Sequence, residues 1–289
     1  MLVNIEVCSN NRNDNLFKFF IKSLHFIKDV AKFCSITMNY NGDITKEEID
    51  RANNAIESLG FTLYWKYNTY DFEPNKHQIL KIRYDCDKIG GTDSKYVLLL
   101  DDDSEFLFGY DRQLLAAILH LEAHPEVGIV SFKQSSGNDY DKDTIYPVGV
   151  RYAFSCFGGL LVRRIADWGG LYPKECLGLY GGGEEQLQGV EILNYGLEGC
   201  FINTDAYRHE HHWTMGTPSG QGAYSWDWDM HNKDTVMGRI HSYDVVGYDR
   251  ARAWAKEPYW KDGSKIVSFG AISKEQMLEK LIGGGDLYD

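Results

Sequence analysis

Long apolar runs are missing from this sequence. Aliphatic stretches such as Val97-Leu98-Leu99-Leu100 fall far short of the roughly 18 apolar residues that a bilayer-crossing helix needs, so no membrane span is expected. The opening Met1-Leu2-Val3-Asn4-Ile5-Glu6 has no basic region and carries a charge where a secretory signal would be apolar. A cytoplasmic location is therefore the expectation. Basic charge is also scarce: 30 Lys and Arg against 42 Asp and Glu leave a net charge of -12, which argues against a broad phosphate-gripping surface and leaves room only for a local basic cleft. Six cysteines (Cys8, Cys34, Cys86, Cys156, Cys176 and Cys200) are scattered without any Cys-x-x-Cys pair. That spacing suggests neither a structural zinc site nor a dithiol redox motif, and buried reduced thiols are expected. Internal repeats and low-complexity tracts are absent as well.

What is present suits a core-bearing globular protein, with 43% hydrophobic and 14% aromatic residues in a chain of 289. Residues 2–8 are rich in β-forming side chains, and Leu16, Phe19, Phe20, Leu24 and Ile27 follow at helical spacing. The plan repeats with a strand over 35–38 and a helix opened by Thr45-Lys46-Glu47-Glu48, a capping box in which hydroxyl and carboxylate satisfy first-turn amides. Ile49, Ala52, Ile56 and Leu59 form its apolar stripe, and Gly60 is suited to end it. Strands are expected over 61–64, 96–100, 127–132, 160–162 and 200–203, and helices over 75–87, 111–124 and 186–195. A last amphipathic helix starts at 273–276 and stops at Gly283-Gly284-Gly285. Alternating strands and helices imply an α/β fold with a mostly parallel sheet flanked by helices. In such sheets ligands collect beyond the carboxyl ends of the strands. From about Thr214 the composition changes, so 1–215 reads as the main domain and 216–289 as an appendage packed on it.

The sharpest local signal is Tyr96-Val97-Leu98-Leu99-Leu100-Asp101-Asp102-Asp103, a buried strand that delivers three carboxylates to its carboxyl end. Their mutual repulsion is costly unless a positive charge offsets it. A hard divalent cation is the usual remedy, because Mg or Mn prefers carboxylate oxygen and can leave positions open for phosphate. Alternation along an extended chain would turn Asp101 and Asp103 one way and Asp102 the other. A solvated turn with a helix cap is the plain alternative. An aspartate-nucleophile phosphohydrolase would also follow a hydrophobic strand with Asp-x-Asp, but near its N-terminus rather than a third of the way along.

Several stretches, in order, resemble the family 2 glycosyltransferases and their GT-A relatives. Asn11-Arg12-Asn13-Asp14-Asn15-Leu16 and Lys22-Ser23-Leu24 are similar to that family's opening, and Asp101-Asp102-Asp103 to its Asp-x-Asp. Phe157-Gly158-Gly159-Leu160 through Arg164, with Gly169-Gly170-Leu171-Tyr172, resembles the small-residue strand and turn beside the acceptor. Gly183-Glu184-Glu185-Gln186-Leu187 is similar to Gly-Glu-Asp-x-x-Leu, and Tyr207-Arg208-His209-Glu210-His211-His212 falls where a histidine often completes the metal shell. The likeness covers about 1–215.

The resemblance implies a GT-A, Rossmann-like fold and a metal-dependent transfer of sugar from a nucleotide-diphosphate donor, a UDP-sugar foremost, with Mn or Mg bound. It assigns the donor to Asn11, Arg12, Asp14, Asp43, Asp101 and Asp102, and the metal to Asp101, Asp103, His209 and His211. Glu185 would be the base of an inverting reaction and Glu184 its partner, with Gly158, Gly159 and Trp213 on the acceptor side. An acceptor proton has to be taken by a carboxylate within hydrogen-bond reach, which is why the acid pair matters; offsetting a helix dipole is its bland reading. Trp168, Tyr180, Trp226 and Trp228 are further stacking candidates, and Arg151, Arg163 and Arg164 further phosphate contacts. The chain departs from the pattern in offering Asn39, Asn41 and Asp43 where the nucleobase-reading Asp usually ends the second strand, and Glu185 where Asp is usual. Glycan, protein, small molecule and hydroxymethylated DNA, the last as in bacteriophage enzymes, all stand as acceptors. A sugar nucleotidyltransferase is a rival, although the first loop has neither Gly nor Lys. A non-catalytic sugar- or nucleic-acid-binding module is another.

Overall fold

A computed structural model describes residues 1–10, 13–68, 93–133, 141–148, 159–164, 196–209 and 266–285. Nine strands form one sheet in the order β11-β7-β9-β6-β8-β4-β1-β2-β3. They are β1 (Val3–Asn10), β2 (Cys34–Asn41), β3 (Thr62–Asn68), β4 (Tyr96–Asp101), β6 (Val127–Lys133), β7 (Thr144–Val148), β8 (Leu160–Arg163), β9 (Glu198–Asn203) and β11 (Val267–Ser268). The remaining two, β5 (Ser104–Phe106) and β10 (Tyr207–His209), make a separate ribbon. Only β7 and β8 run against the other sheet strands, so the sheet is mixed but mostly parallel, as expected.

Period-two alternation explains the central strands. Val3, Ile5 and Val7 on β1, and Cys34, Ile36, Met38 and Tyr40 on β2, join one hydrophobic core with Leu98 and Leu100 of β4. The intervening positions are polar yet buried, and several of them bond one another. Asn4 accepts hydrogen bonds from Ser35 at 2.9 Å and Thr37 at 3.0 Å and donates to Glu6 at 3.2 Å.

Four helical segments cover the sheet among the described residues. The first, α1, is irregular: an α turn at Asn13–Asn15 runs into a π-helical stretch at Leu16–Ile21 and a 3-10 stretch at Leu24–Phe33. The expected apolar face is buried, but the winding changes around Ser23. There the Ser23 hydroxyl donates to the Phe20 carbonyl at 2.9 Å, a side-chain bond that competes with the helix ladder. By contrast α2 (Lys46–Glu57) is regular and carries the expected Thr45/Glu48 capping box, and Gly60 follows it with φ of 89°. α3 (Tyr110–Ala123) packs against the 3-10 part of α1 and against α4 (Lys274–Gly283). α4 opens with a Ser273/Gln276 capping box and closes on Gly284 in the left-handed region. The boundary expected near residue 215, and the helices expected at 75–87 and 186–195, lie outside the described residues. Beyond that boundary β11 pairs antiparallel with β7 at the edge of the main sheet.

Candidate active site

Strand order reverses at β1, which has β2 on one side and β4 on the other, both parallel to it. A crevice at such a switch point is where ligands bind in open α/β sheets. Cys8 is level with Asp101 on one side and with Asn39 on the other, so the ends of β1, β2 and β4 share one sheet edge. The Ser9 hydroxyl donates to Asp102 Oδ2 at 2.7 Å and ties the end of β1 to the chain that follows β4. Asp102 and Asp103 are only 3% and 4% exposed, and Asp101 is half-buried. Simple alternation does not govern all three acids. The strand stops at Asp101 and Asp102-Asp103 form a turn, which corrects the expectation that period two alone sets their faces.

The chain leaves that turn as β5, which pairs antiparallel with β10: Ser104 lies opposite His209, Glu105 opposite Arg208 and Phe106 opposite Tyr207. Patterning accounts for the ribbon. Phe106 and Tyr207 are buried against Tyr110, with ring centroids 4.6 and 5.8 Å from it, while Arg208 and Glu105 form an outward ion pair at 3.3 Å. Ser104 Oγ and Tyr207 OH meet at 2.7 Å. At the far end the Leu107 amide donates to the Ala206 carbonyl at 2.7 Å, and Thr204 bonds Gln113 of α3. The main chain of His209 therefore stands across from the residue that follows Asp103. Its side chain, and all of His211, lie outside the described residues. Among the described residues no three His, Cys, Asp or Glu groups stand close enough to hold an ion.

Negative charge gathers at this edge. Burial first, then the carboxylates of Glu48, Asp102 and Asp43, push the Tyr40 phenol up to about 12. Asp43 is exposed in the loop after β2, and its carbonyl lies 3.4 Å from the Tyr40 hydroxyl. Asn39 is fully buried within β2. Asp14 lines an open pocket of about 610 Å³ with Asn15, Phe17, Lys18, Lys22, Glu48 and Arg51. The Arg51 guanidinium sits 4.5 Å above the Phe17 ring.

Gly159 lies beside the triplet strand, just before β8. A methyl group there would come within 2.8 Å of Leu100 and 3.2 Å of both Leu98 and the Tyr110 hydroxyl, so a larger residue would have to displace these side chains. Arg163 and Arg164, expected as possible phosphate contacts, are engaged at the other end of β4. Arg163 pairs in register with Tyr96 and donates to the carbonyls of Leu121, His124 and Val127; Arg164 faces Glu6 at 3.8 Å. Asn11, Arg12, Gly158, Glu184, Glu185 and Trp213 lie outside the described residues, as do Arg151, Trp168, Tyr180, Trp226 and Trp228. Sequence reasoning missed Ser9, Ser104 and Tyr207. Of the ribbon only the β10 side is legible in the sequence, in the Tyr207-to-His212 run where the resemblance puts a strand-end histidine.

The donor atoms on hand, carboxylate oxygens with a histidine close by in the chain path, suit Mg or Mn rather than a thiophilic metal. No family model matches the sequence, and no curated protein matches it. Solved structures do. S. aureus TarS 1-349 in complex with UDP-GlcNAc aligns with a TM-score of 0.60 at 14% identity, covering 89% of this chain and 71% of that one. The same protein in complex with UDP gives 0.59 at 15% identity, with 89% and 70% covered. Likeness at such low identity speaks to architecture alone: the chain has the GT-A fold.

Proposed function

We propose that this chain transfers a sugar from a nucleoside-diphosphate donor to an acceptor hydroxyl, with Mn or Mg held at the aspartate triplet. The observation that carries the reading is the pairing of β5 with β10, which sets His209 opposite Ser104, next to Asp103, at the β1/β4 switch. Crowded carboxylates at one strand end need a positive partner. Asp101 and Asp103, with His209 or His211, would hold the ion. Such an ion, when bound, stabilises negative charge on a departing diphosphate as a Lewis acid.

The chain's own residues supply the rest. Ser9 fixes Asp102 through its 2.7 Å bond, which keeps that carboxylate with Asp101 for the donor's ribose. Asn11, Arg12, Asp14 and Asp43 complete the donor side, and a UDP-sugar is the donor proposed, in line with the nucleotides in the TarS complexes. Glu185 takes the proton of the acceptor hydroxyl as it attacks, so the reaction inverts the sugar centre; Glu184 orients the acceptor. Gly158 and Trp213 line the acceptor side, and Gly159 lets the backbone pack tightly behind Leu100. The net charge of -12 favours an acceptor without a dense phosphate backbone over DNA.

The test is release of nucleoside diphosphate from a panel of sugar donors by the purified protein, with and without Mn. Metal-dependent release is expected. Asp103→Ala should abolish both release and calorimetric donor binding; Glu185→Gln should lower turnover at least a hundredfold with donor binding kept. Undiminished turnover in Asp103→Ala would refute the metal role, and undiminished turnover in Glu185→Gln would refute the base.

A further inference from the structure

Resting on the metal reading above, the geometry points to Tyr207 as a positioning residue: its hydroxyl, through Ser104, locks the register of the β5–β10 ribbon and so sets His209 against the aspartate triplet. The ribbon is three residue pairs long. Two-stranded ribbons are marginal alone, and a slip of one residue would reverse every side chain's face and shift His209 along the triplet. Something must hold this register. The ion pair between Arg208 and Glu105 is outward and solvent-exposed, so it contributes little. The two hydroxyls, by contrast, are buried, with Ser104 at 0% and Tyr207 at 2% exposure, and they meet at 2.7 Å across the ribbon. Their bond is diagonal: Tyr207 is level with Phe106, yet it reaches Ser104 two residues nearer the triplet. A diagonal bond of this kind is broken by any slip.

The neighbouring Tyr110 shows that this core does not demand a paired phenol. Its ring lies 5.8 Å from that of Tyr207, it is fully buried, and its hydroxyl has no hydrogen-bond partner among the described residues. The Tyr207 ring is what the aromatic cluster requires, and its hydroxyl serves the ribbon. A second fastening supports the same strand from beneath, where the Phe106 amide donates to Ser23 Oγ at 3.0 Å. The serine and the tyrosine thus act through backbone geometry, as groups that orient metal ligands do, where a loss typically weakens the metal about tenfold or more.

The experiment titrates Mn into the full-length chain and reads free Mn by electron paramagnetic resonance, with urea unfolding run on the same samples. Tyr207→Phe and Ser104→Ala are each expected to weaken Mn binding about tenfold, and the double variant no more than either alone, because both remove one shared bond. Arg208→Gln, on the outward face of the same ribbon, should bind Mn as the unaltered chain does. Equal Mn affinity in all variants, with only a drop in unfolding midpoint, would overturn the positioning role and leave the metal reading intact. Absence of Mn binding by the unaltered chain would instead overturn the metal reading and this proposal with it. Should Tyr207→Phe not fold, Ser104→Ala, which only deletes an oxygen, carries the same test.

Discussion

Tyr110 and His120 occupy the same helix and are both buried, yet their polar atoms differ in what they meet. The Tyr110 hydroxyl meets no acceptor among the described residues, so it loses water on folding without a hydrogen bond from them in return. Tyr110→Phe is therefore expected to leave stability unchanged or raise it by about 1 kcal/mol in urea titrations; a clear loss would mean the hydroxyl is engaged. His120 Nε2 lies 3.5 Å from Cys200 Sγ, and its ring centroid is 4.6 Å from that of the tilted His124 ring, which bonds Glu126 at 2.8 Å. Burial first, and His124 second, push its imidazole down to about 3, against the opposing pull of Glu126. In the unfolded chain it takes a proton near pH 6.5, so between the two values the unfolded state binds more protons. The stability it contributes is complete above about pH 6.5 and is lost as pH falls toward 3. Unfolding free energies at pH 7 and pH 5 should differ by about 2 kcal/mol on this account, a difference that His120→Leu removes. Single residues of this kind were the least legible in the sequence. Asp101, Asp102 and Asp103 stood out because like charges at a strand end are conspicuous, whereas Ser9 and Tyr207 carry no periodic signal and gain meaning only from partners far along the chain, 93 and 103 residues away.

Periodicity and caps exposed the regular elements much more readily. β1, β2, β4 and β6 alternate or run apolar, and both capping boxes form as the residues suggest. The short elements β5 and β11 escaped: they are three and two residues long and exist because of tertiary partners, beyond the reach of a local pattern. The same holds for α1, where Ser23 diverts a carbonyl that periodicity cannot see. Arg112 is the clearest case of an element held by one side chain. From α3 it donates to Asp143 at 2.7 Å and to the carbonyls of Phe269, Gly270 and Ile272 at 2.7 to 3.0 Å, and so pins the segment leading to α4 against β7. Lys274 adds contacts to Asp29 and Asp111, and those partners raise its pKa above the usual lysine range. Arg112→Ala should cost about 3 kcal/mol and speed amide exchange at Phe269 and in 274–283 while β1 and β4 stay protected. Arg112→Lys should rescue little, since an ammonium cannot reproduce the fork. Unchanged exchange over those residues would show that the segment is held by other means.

For the whole molecule, the sheet order converts scattered motifs into one edge. Residues separated by a third of the chain, Ser9, Asp101 and His209, come together because β1 lies beside β4 and because β10 returns alongside the strand that leaves the triplet. The fold class could be read from alternating strands and helices; the ribbon that brings His209 back could not, because antiparallel pairing over so few residues leaves no pattern in the chain. The central claim is that this edge grips a divalent ion carrying a diphosphate. Crystals grown with MnCl2 and UDP, measured for the anomalous signal of manganese, test it most directly. The expected map has one peak within about 2.2 Å of carboxylate oxygens of Asp101 or Asp103 and of a histidine nitrogen, with the UDP phosphates against it. Manganese and UDP bound elsewhere, with the triplet left bare, would contradict it.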